Sequence, residues 1–328
     1  MAKSENQKLK LYTTLQILKE ETDETHAITM PQLISALERR GINAERKSVG
    51  DDIKLINDYT DFEIEYERNH GYRLTGRTFQ SEELLMLADI IGSARFITKK
   101  KSDELIGKLS KEASRYERTA LKNQCAGAHI KMANESIYYN LNTVQAAMDE
   151  NLQITFSYYK YNRNKEFVEA HPGKVYTVSP WDFIWNDKNY YLVAVDDLGK
   201  IVHFRLDRIK NAALTTKARL GRETFARADK GEYEAKSFGM FGGQDCLVTL
   251  HCKEEAAGVI VDRFGTTPTF RQSGKNEFDV SVRVFLSPQF YAWLCGLSGI
   301  VTLTYPQSAI DGYREHLASA LDALAKKV

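Results

Sequence analysis

Between residues 152 and 210 the apolar side chains recur at every second position, which confines this stretch to antiparallel β-structure with one covered face. In LQITFSYYKYN, Ile154, Phe156 and Tyr158 alternate with Thr155, Ser157 and Tyr159. The runs VYTVSPWDFIWN, NYYLVAVD and KIVHFRLDRI follow, and the breaks Asn186-Asp187-Lys188-Asn189 and Asp196-Asp197-Leu198-Gly199 have turn chemistry. The expectation is a meander of hairpins bent into a small sheet or barrel, SH3-like or Sm-like in size. A short helix from Tyr139 to Asn151 precedes it.

That module is one part of a chain of 328 residues, more than a single core usually organises. At the other end the period is helical. Leu11, Leu15 and Leu18 form a stripe over Lys8 to Lys19. Thr29 is an N-cap candidate with Pro31 early in the helix, and Leu33, Ile34 and Leu37 give a second stripe that Gly41 ends. A third helix opens at Asn43 or Ala44 and carries Val49, Ile53 and Ile56 at core spacing. Phe62, Ile64 and Tyr66 then alternate with glutamates up to the turn Asn69-His70-Gly71, with Tyr72 and Leu74 beyond, so a hairpin follows.

Three short helices and a hairpin are the order of a winged helix-turn-helix, whose third helix enters the major groove of duplex DNA. This spacing, and GYRL at the wing, resemble the reader domains of DeoR-like and WYL-type repressors. The resemblance places DNA contacts at Arg46, Lys47 and Ser48, with Lys54 further along the helix and His70 and Arg73 on the wing. Gly50 and Asp51 depart from the pattern, which favours an aromatic or basic residue there. The alternative reading makes Arg46 and Lys47 a solvated helix start and Arg73 a surface strand residue.

Ser81, followed by two glutamates and LLMLADIIGSARFI, reads as an N-capped helix. Leu105, Leu109 and Tyr116 suggest one exposed amphipathic helix from Lys99 to Asn123, with Lys99-Lys100-Lys101 as a solvated loop. Helices in this position form a dimer seam, and a two-fold protein matches a palindromic operator.

In the β-module, alternation along Ile201 to Leu206 puts Val202, Phe204 and Leu206 on one face and His203 and Arg205 on the other. Arg205, Arg208, His203, Ser157 or Tyr158, and Tyr190 offer cations and aromatic faces, a chemistry suited to phosphates and stacked bases. The alternatives are a salt bridge from Arg208 to Asp207 and an ordinary strand-surface role for His203. Tyr190-Tyr191-Leu192-Val193-Ala194 is similar to the W-Y-L motif of the WYL domain family with Tyr in first place, and HFRLDRI, Pro180 and Tyr158 fit the same pattern over about residues 137 to 210. The resemblance implies an oligonucleotide or nucleotide-like effector at this face.

After SFGMFGGQD, read as a glycine-rich hinge, the order is strand, helix, two strands, helix, a short strand IVTLTY and a last helix, which is ferredoxin-like. DRFG and SPQFYAWLCGLSGIVTLTYP resemble the extension that accompanies WYL domains. Arg263 and Arg271 are its ligand candidates, and Trp293 is a core residue.

Four widely spaced cysteines, Cys125, Cys246, Cys252 and Cys295, contain no C-x-x-C pair and read as reduced and structural. The N-terminus lacks a signal-peptide apolar core and no membrane-length apolar run occurs, which implies a cytoplasmic location. No G-x-S-x-G, glycine-rich phosphate loop or H-E-x-x-H is present, so neither enzyme chemistry nor a metal or other cofactor is expected. Net charge is +1, and residues 1 to 78 hold 12 basic against 14 acidic residues, so any DNA footprint is a local patch. The sequence reading is an α+β multidomain chain: winged helix-turn-helix (1–78), helical connector (79–136), small Sm/SH3-like β-domain (137–236) and ferredoxin-like domain (237–328). Its expected function is that of a homodimeric repressor binding an operator duplex under control of an anionic effector. The competing reading is an RNA- or single-stranded-DNA-binding accessory protein.

Overall fold

The structure is a computed structural model that describes residues 9–124, 131, 136–223, 233 and 235–325. Helices and several sheets are mixed along a chain that divides into two compact units, residues 1–133 and 134–328.

The first unit opens with α1 (Lys10–Glu21), α2 (Met30–Arg39) and α3 (Arg46–Tyr59), followed by the antiparallel pair β1 (Glu63–Glu67) and β2 (Gly71–Gly76). Thr29 caps α2 as expected, its backbone N–H donating to Gln32 Oε1 at 2.8 Å. The α1 stripe is shifted from the expected one: Thr14, Ile17 and Leu18 are buried, while Leu11 and Leu15 flank them half-buried. They meet Leu33, Leu37, Val49, Ile53, Ile56 and Leu74 in one core. Lys10 and Asp52, both almost fully buried, form a 2.7 Å ion pair between α1 and α3. Each ion has its partner at hand, so this pair fixes how α3 is presented.

The wing is attached through Tyr72, which exchanges backbone hydrogen bonds of 2.8 Å with Ile28. Gly71 adopts φ +111, and a Cβ there would stand 2.3 Å from the Ile28 carbonyl oxygen. Only glycine allows this approach.

The connector differs from its expected form. Gln80 rather than Ser81 is the N-cap of α4 (Ser81–Ser93), with Glu83 accepting from its backbone N–H at 2.9 Å. Lys99-Lys100-Lys101 is the first turn of α5 (Lys99–Leu109), which Thr98 caps by accepting from Lys101 N. The expected single helix breaks at Ser110, and α6 (Arg118–Gln124) starts again eight residues later. The break is needed because residues 112–115 tie back to α1: Lys19 Nζ lies 2.8 Å from Glu112, and Arg115 N donates to Glu20 O at 2.8 Å. Asp23, 6% exposed, collects hydrogen bonds from Thr25 N, His26 N, His26 Nδ1 and Ser114 Oγ. Burial alone would raise its pKa, but the bonds from His26, Thr25 and Ser114 outweigh it and hold the carboxyl at about 2.

The second unit begins with α7 (Ile137–Asp149) and a bent six-stranded sheet: β3 (Leu152–Tyr161), β4 (Phe167–Glu169), β5 (Val175–Asn186), β6 (Asn189–Val195), β7 (Ile201–Arg205) and β8 (Ile209–Ala218). Its strand order is β4-β3-β5-β6-β7, with β8 also pairing to β3. β4, a three-residue edge strand, is too short to show an alternation along the chain. Phe156, Tyr176 and Phe204 pack at centroid distances of 4.9 to 5.6 Å inside the bend. The alternation read along β3 therefore points the intended residues inward.

β9 (Gln244–Lys253), α8 (Ala257–Phe264), β10 (Phe270–Gly274), β11 (Glu277–Leu286), α9 (Pro288–Gly296), β12 (Val301–Tyr305) and α10 (Gln307–Ala325) complete the chain. The sheet order β10-β11-β9-β12 is antiparallel throughout. Val248, Leu250, Val280 and Val284 from its middle strands pack on Ile260 and Phe290 of the helices. The glycine-rich segment before β9 is no free hinge: Phe238 and Met240 are buried, and Phe238 pairs with Phe241 across a tight turn. Cys252 lies buried, Cys246 is half-buried and Cys295 is exposed, so a structural role does not extend to Cys295; Cys125 lies outside the described residues.

Gly71→Ala should destabilise the first unit by roughly 1–3 kcal/mol, because it imposes both a strained φ and a backbone collision. Denaturant unfolding of the full chain measures it, and an unchanged midpoint would show that the wing is not held by this approach.

Candidate functional site

The candidate residues gather on two surfaces, one in each unit. On α3, Arg46, Lys47 and Lys54 are exposed, while Val49, Ile53 and Ile56 on the opposite side are buried. Lys47, Asp51 and Lys54 share one helix face by their i, i+4, i+7 spacing, with Arg46 beside them. The exposed Asp51 offsets part of that positive charge.

The other expected contacts divide. Ser48 points inward, its carbonyl and hydroxyl both accepting from Lys10 Nζ, and is thereby occupied. Arg73 pairs with Glu67 and donates to Glu24 O at 2.7 Å, so it pins the wing to the loop after α1 instead of facing outward. His70 remains exposed at the wing tip, 3.6 Å from Glu67.

In the second unit a cavity of about 580 Å³ lies beside β7, between the sheet and the turn Gly239–Gly242. Register builds it: Tyr191 of β6 stands opposite Arg205, and Val193 opposite His203, so alternate residues of the two strands reach the same side. Tyr158 arrives from β3, its hydroxyl accepting from Arg205 N at 3.2 Å. The 3-10 turn Leu206–Arg208 closes one end.

The charges inside are disposed differently from the sequence reading. Asp207, rather than pairing with Arg208, takes Arg205 in a two-pronged grip, Nε to Oδ1 at 3.0 Å and Nη2 to Oδ2 at 2.8 Å. Arg208 has its Nε buried with no acceptor. His203 Nε2 lies 2.9 Å from the Tyr233 hydroxyl, and burial lowers its pKa to about 4. It is therefore neutral near pH 7 and adds no positive charge. Burial also raises the Tyr158 and Tyr191 phenols, which stay protonated.

Four expected ligand residues fall elsewhere. Tyr190 stacks on Phe183 at 5.5 Å on the other face of β6, where its strand alternation sends it. Ser157 lies on the face of β3 opposite Tyr158 and does not line the cavity. Arg263 covers the Phe238 ring at 4.0 Å and donates to Ser237 O, a packing role inside the last module. Arg271 is exposed on β10, while Trp293 packs against Phe238 and Phe264.

Residues that sequence reasoning missed are Tyr191, Met240 and Phe241. Pairing β6 to β7 on paper would have exposed Tyr191, because the residue opposite an inward Arg205 must share its face. No local signal marks Phe241, whose place depends on the turn at Gly239 and Met240, both at positive φ.

Residues 139–214 match the family model of the WYL domain. No curated protein matches the chain. Among solved structures, the proteasome accessory factor B/C (PafBC) of Arthrobacter aurescens is similar at 18% identity and a TM-score of 0.31, covering 96% of this chain and 48% of its own. The chain thus spans about half the length of that structure. Among the described residues no helix is long and apolar enough to cross a membrane.

A buried neutral histidine links the second unit's stability to pH. The unfolded His203 titrates near its ordinary 6.5 and the folded one at about 4, so the unfolded state takes the proton first as pH falls. Its contribution is full above pH 6.5 and drains away on acidification towards pH 4, by about 3 kcal/mol in all. Denaturant unfolding compared at about pH 7.5 and about pH 4.5 should show this loss in the wild type and much less of it in His203→Gln. Equal losses in both proteins would place the sensitivity in other groups.

Proposed function

We propose that this chain, which carries a WYL domain over residues 139–214, is a DNA-binding transcription regulator whose operator affinity responds to an anionic, nucleotide-like ligand in the cavity. The observation that carries this reading is the coexistence of two unlike sites. One is an exposed basic helix face in a three-helix-and-hairpin unit, and the other is a cavity lined by an arginine whose buried Nε has no acceptor. Residues 1–78 are read as a winged helix that lays α3 in the major groove, with Arg46, Lys47 and Lys54 on phosphates or base edges and His70 at the flanking backbone. Residues 79–136 serve as connector and dimer seam, supported by Met86 and Ile90, one turn apart and exposed on α4. Residues 137–236 are the sensor, Sm- or SH3-like in form, and 237–328 a ferredoxin-like cover supplying the cavity's second wall.

Two recognition helices in a homodimer compensate for the weak charge of one, so the operator is a near-palindrome. We read the protein as a cytoplasmic repressor that performs no catalysis and needs no cofactor.

One observation favours a second reading, a single-stranded nucleic-acid-binding accessory protein. On the outer face of β3 and β4, Tyr159 and Tyr161 pack at 5.2 and 5.1 Å from Phe167, and Lys210 lies 4.5 Å from the Tyr159 ring centroid. Partly exposed rings beside a cation form a surface on which bases stack.

Sequencing the DNA that co-purifies with the protein supplies an operator for the decisive experiment. Replacing Arg46 and Lys47 together by Ala should weaken duplex binding and reduce the salt slope by about 1.8, or about 0.9 per lost phosphate contact. Unfolding midpoint and cavity binding should stay unchanged. Unaltered duplex affinity at every salt concentration refutes the placement of α3, and a protein that prefers single strands to its own operator supports the second reading.

A further inference from the structure

The charges lining the cavity set the size of anion it can hold. Its described lining contains three side chains able to carry positive charge, His203, Arg205 and Arg208. Arg205 is neutralised in place, since both its Nε and its Nη2 are held by the Asp207 carboxylate. His203 engages the Tyr233 hydroxyl in a buried setting that keeps the ring uncharged near pH 7. That leaves Arg208, whose buried Nε has no acceptor in the structure. A desolvated N–H without a partner is costly to the empty protein, and an arriving anion removes the cost. Among the described lining residues, the supply is therefore one guanidinium and one uncompensated positive charge.

The remaining lining specifies what accompanies the anion. Tyr191 and Phe241 present rings, Met240 an adaptable thioether and Tyr158 a protonated phenol. Phe241 is 51% exposed, unusual for a phenylalanine and consistent with a face that awaits a planar partner. The volume of about 580 Å³ is in the range that encloses one small ligand and far below what a strand of several nucleotides fills.

We propose that the ligand is a single nucleotide-sized molecule with one phosphate: the phosphate on the Arg208 guanidinium and the flat base against Tyr191 and Phe241. An oligonucleotide brings one charge per phosphate, and the described lining residues offer no second open cation to meet it. This inference rests on the reading of the cavity as the effector site and narrows it to a class.

Calorimetric titration of the full chain with the four ribonucleoside 5′-monophosphates, the corresponding nucleosides and a short thymidine oligonucleotide tests it. At least one monophosphate should bind roughly tenfold or more tighter than its nucleoside, as a charge-assisted fork requires, and no weaker than the oligonucleotide. Arg208→Gln should bring that monophosphate down to its nucleoside's level, and Arg208→Lys, keeping the charge without the fork, should fall between. The comparison of monophosphate with nucleoside on the wild type needs no variant and stands whether or not either variant folds. An oligonucleotide that binds tenfold tighter than every monophosphate and is lost in Arg208→Gln overturns the single-nucleotide class but leaves the cavity as the effector site. No difference between monophosphates and nucleosides, with oligonucleotide binding untouched by Arg208→Gln, overturns both.

Discussion

The grip of Asp207 on Arg205 is the interaction around which the second unit's site is arranged. Asp207 is 2% exposed and sits in a 3-10 turn that separates two strands of the same sheet. Removing the Asp207 carboxylate would take from Arg205 the acceptor of both its Nε and its Nη2, typically a loss of about 3–5 kcal/mol for a broken buried pair, so the turn is locked as long as the pair is intact. Asn140 of α7 completes the lock by donating to the carbonyls of Leu206 and Ile209 at 3.3 and 2.8 Å. Arg208, at the end of this turn, lines the cavity, and its buried Nε has no acceptor.

A comparable arrangement fixes the joint in the first unit. Asp23 ends α1 with bonds to the following loop and to Ser114 in the connector, and His26 stacks on Tyr116 with a 3.6 Å centroid separation. Lys10 and Asp52 meanwhile set α3 against α1. Buried or half-buried carboxylates thus position both the helix proposed to read DNA and the helices proposed to relay the ligand signal. Asp23 is satisfied by several donors and Asp52 by its ion pair with Lys10, which makes these joints stiff.

Periodicity carried most of the fold. The alternation of Ile154, Phe156 and Tyr158 located β3 and its inward face, and Val49, Ile53 and Ile56 located the buried side of α3. What it missed depended on tertiary pairing. Lys99-Lys100-Lys101 looks like a solvated loop by charge, yet Thr98 caps it into a helix whose Lys101 and Lys108 both pair with Glu104. The site was legible in outline only. A sequence shows that Arg205 and Arg208 flank Asp207 but not which of them it binds, because that depends on the backbone direction through a three-residue turn. Tyr190 and Tyr191 differ by one position, and strand alternation sends them to opposite faces, so naming the motif's first tyrosine selected the wrong ring. Ser48 and Arg73 are engaged within the first unit by Lys10 and by Glu24, partners far away in sequence that no local pattern reveals.

If the cavity and the basic helix face belong to one regulatory device, thermodynamic linkage ties their two affinities together. Operator affinity is measured by calorimetry with and without saturating cavity ligand, and ligand affinity with and without operator. A single coupling free energy joins the two sites, so both ratios must be the same factor, in the range of roughly 5 to 150 for ordinary allosteric coupling. A single regulatory device gives such a factor, equal in the two directions. A ratio of one in both, with each ligand still bound tightly, would contradict it and leave two independent binding sites on one chain.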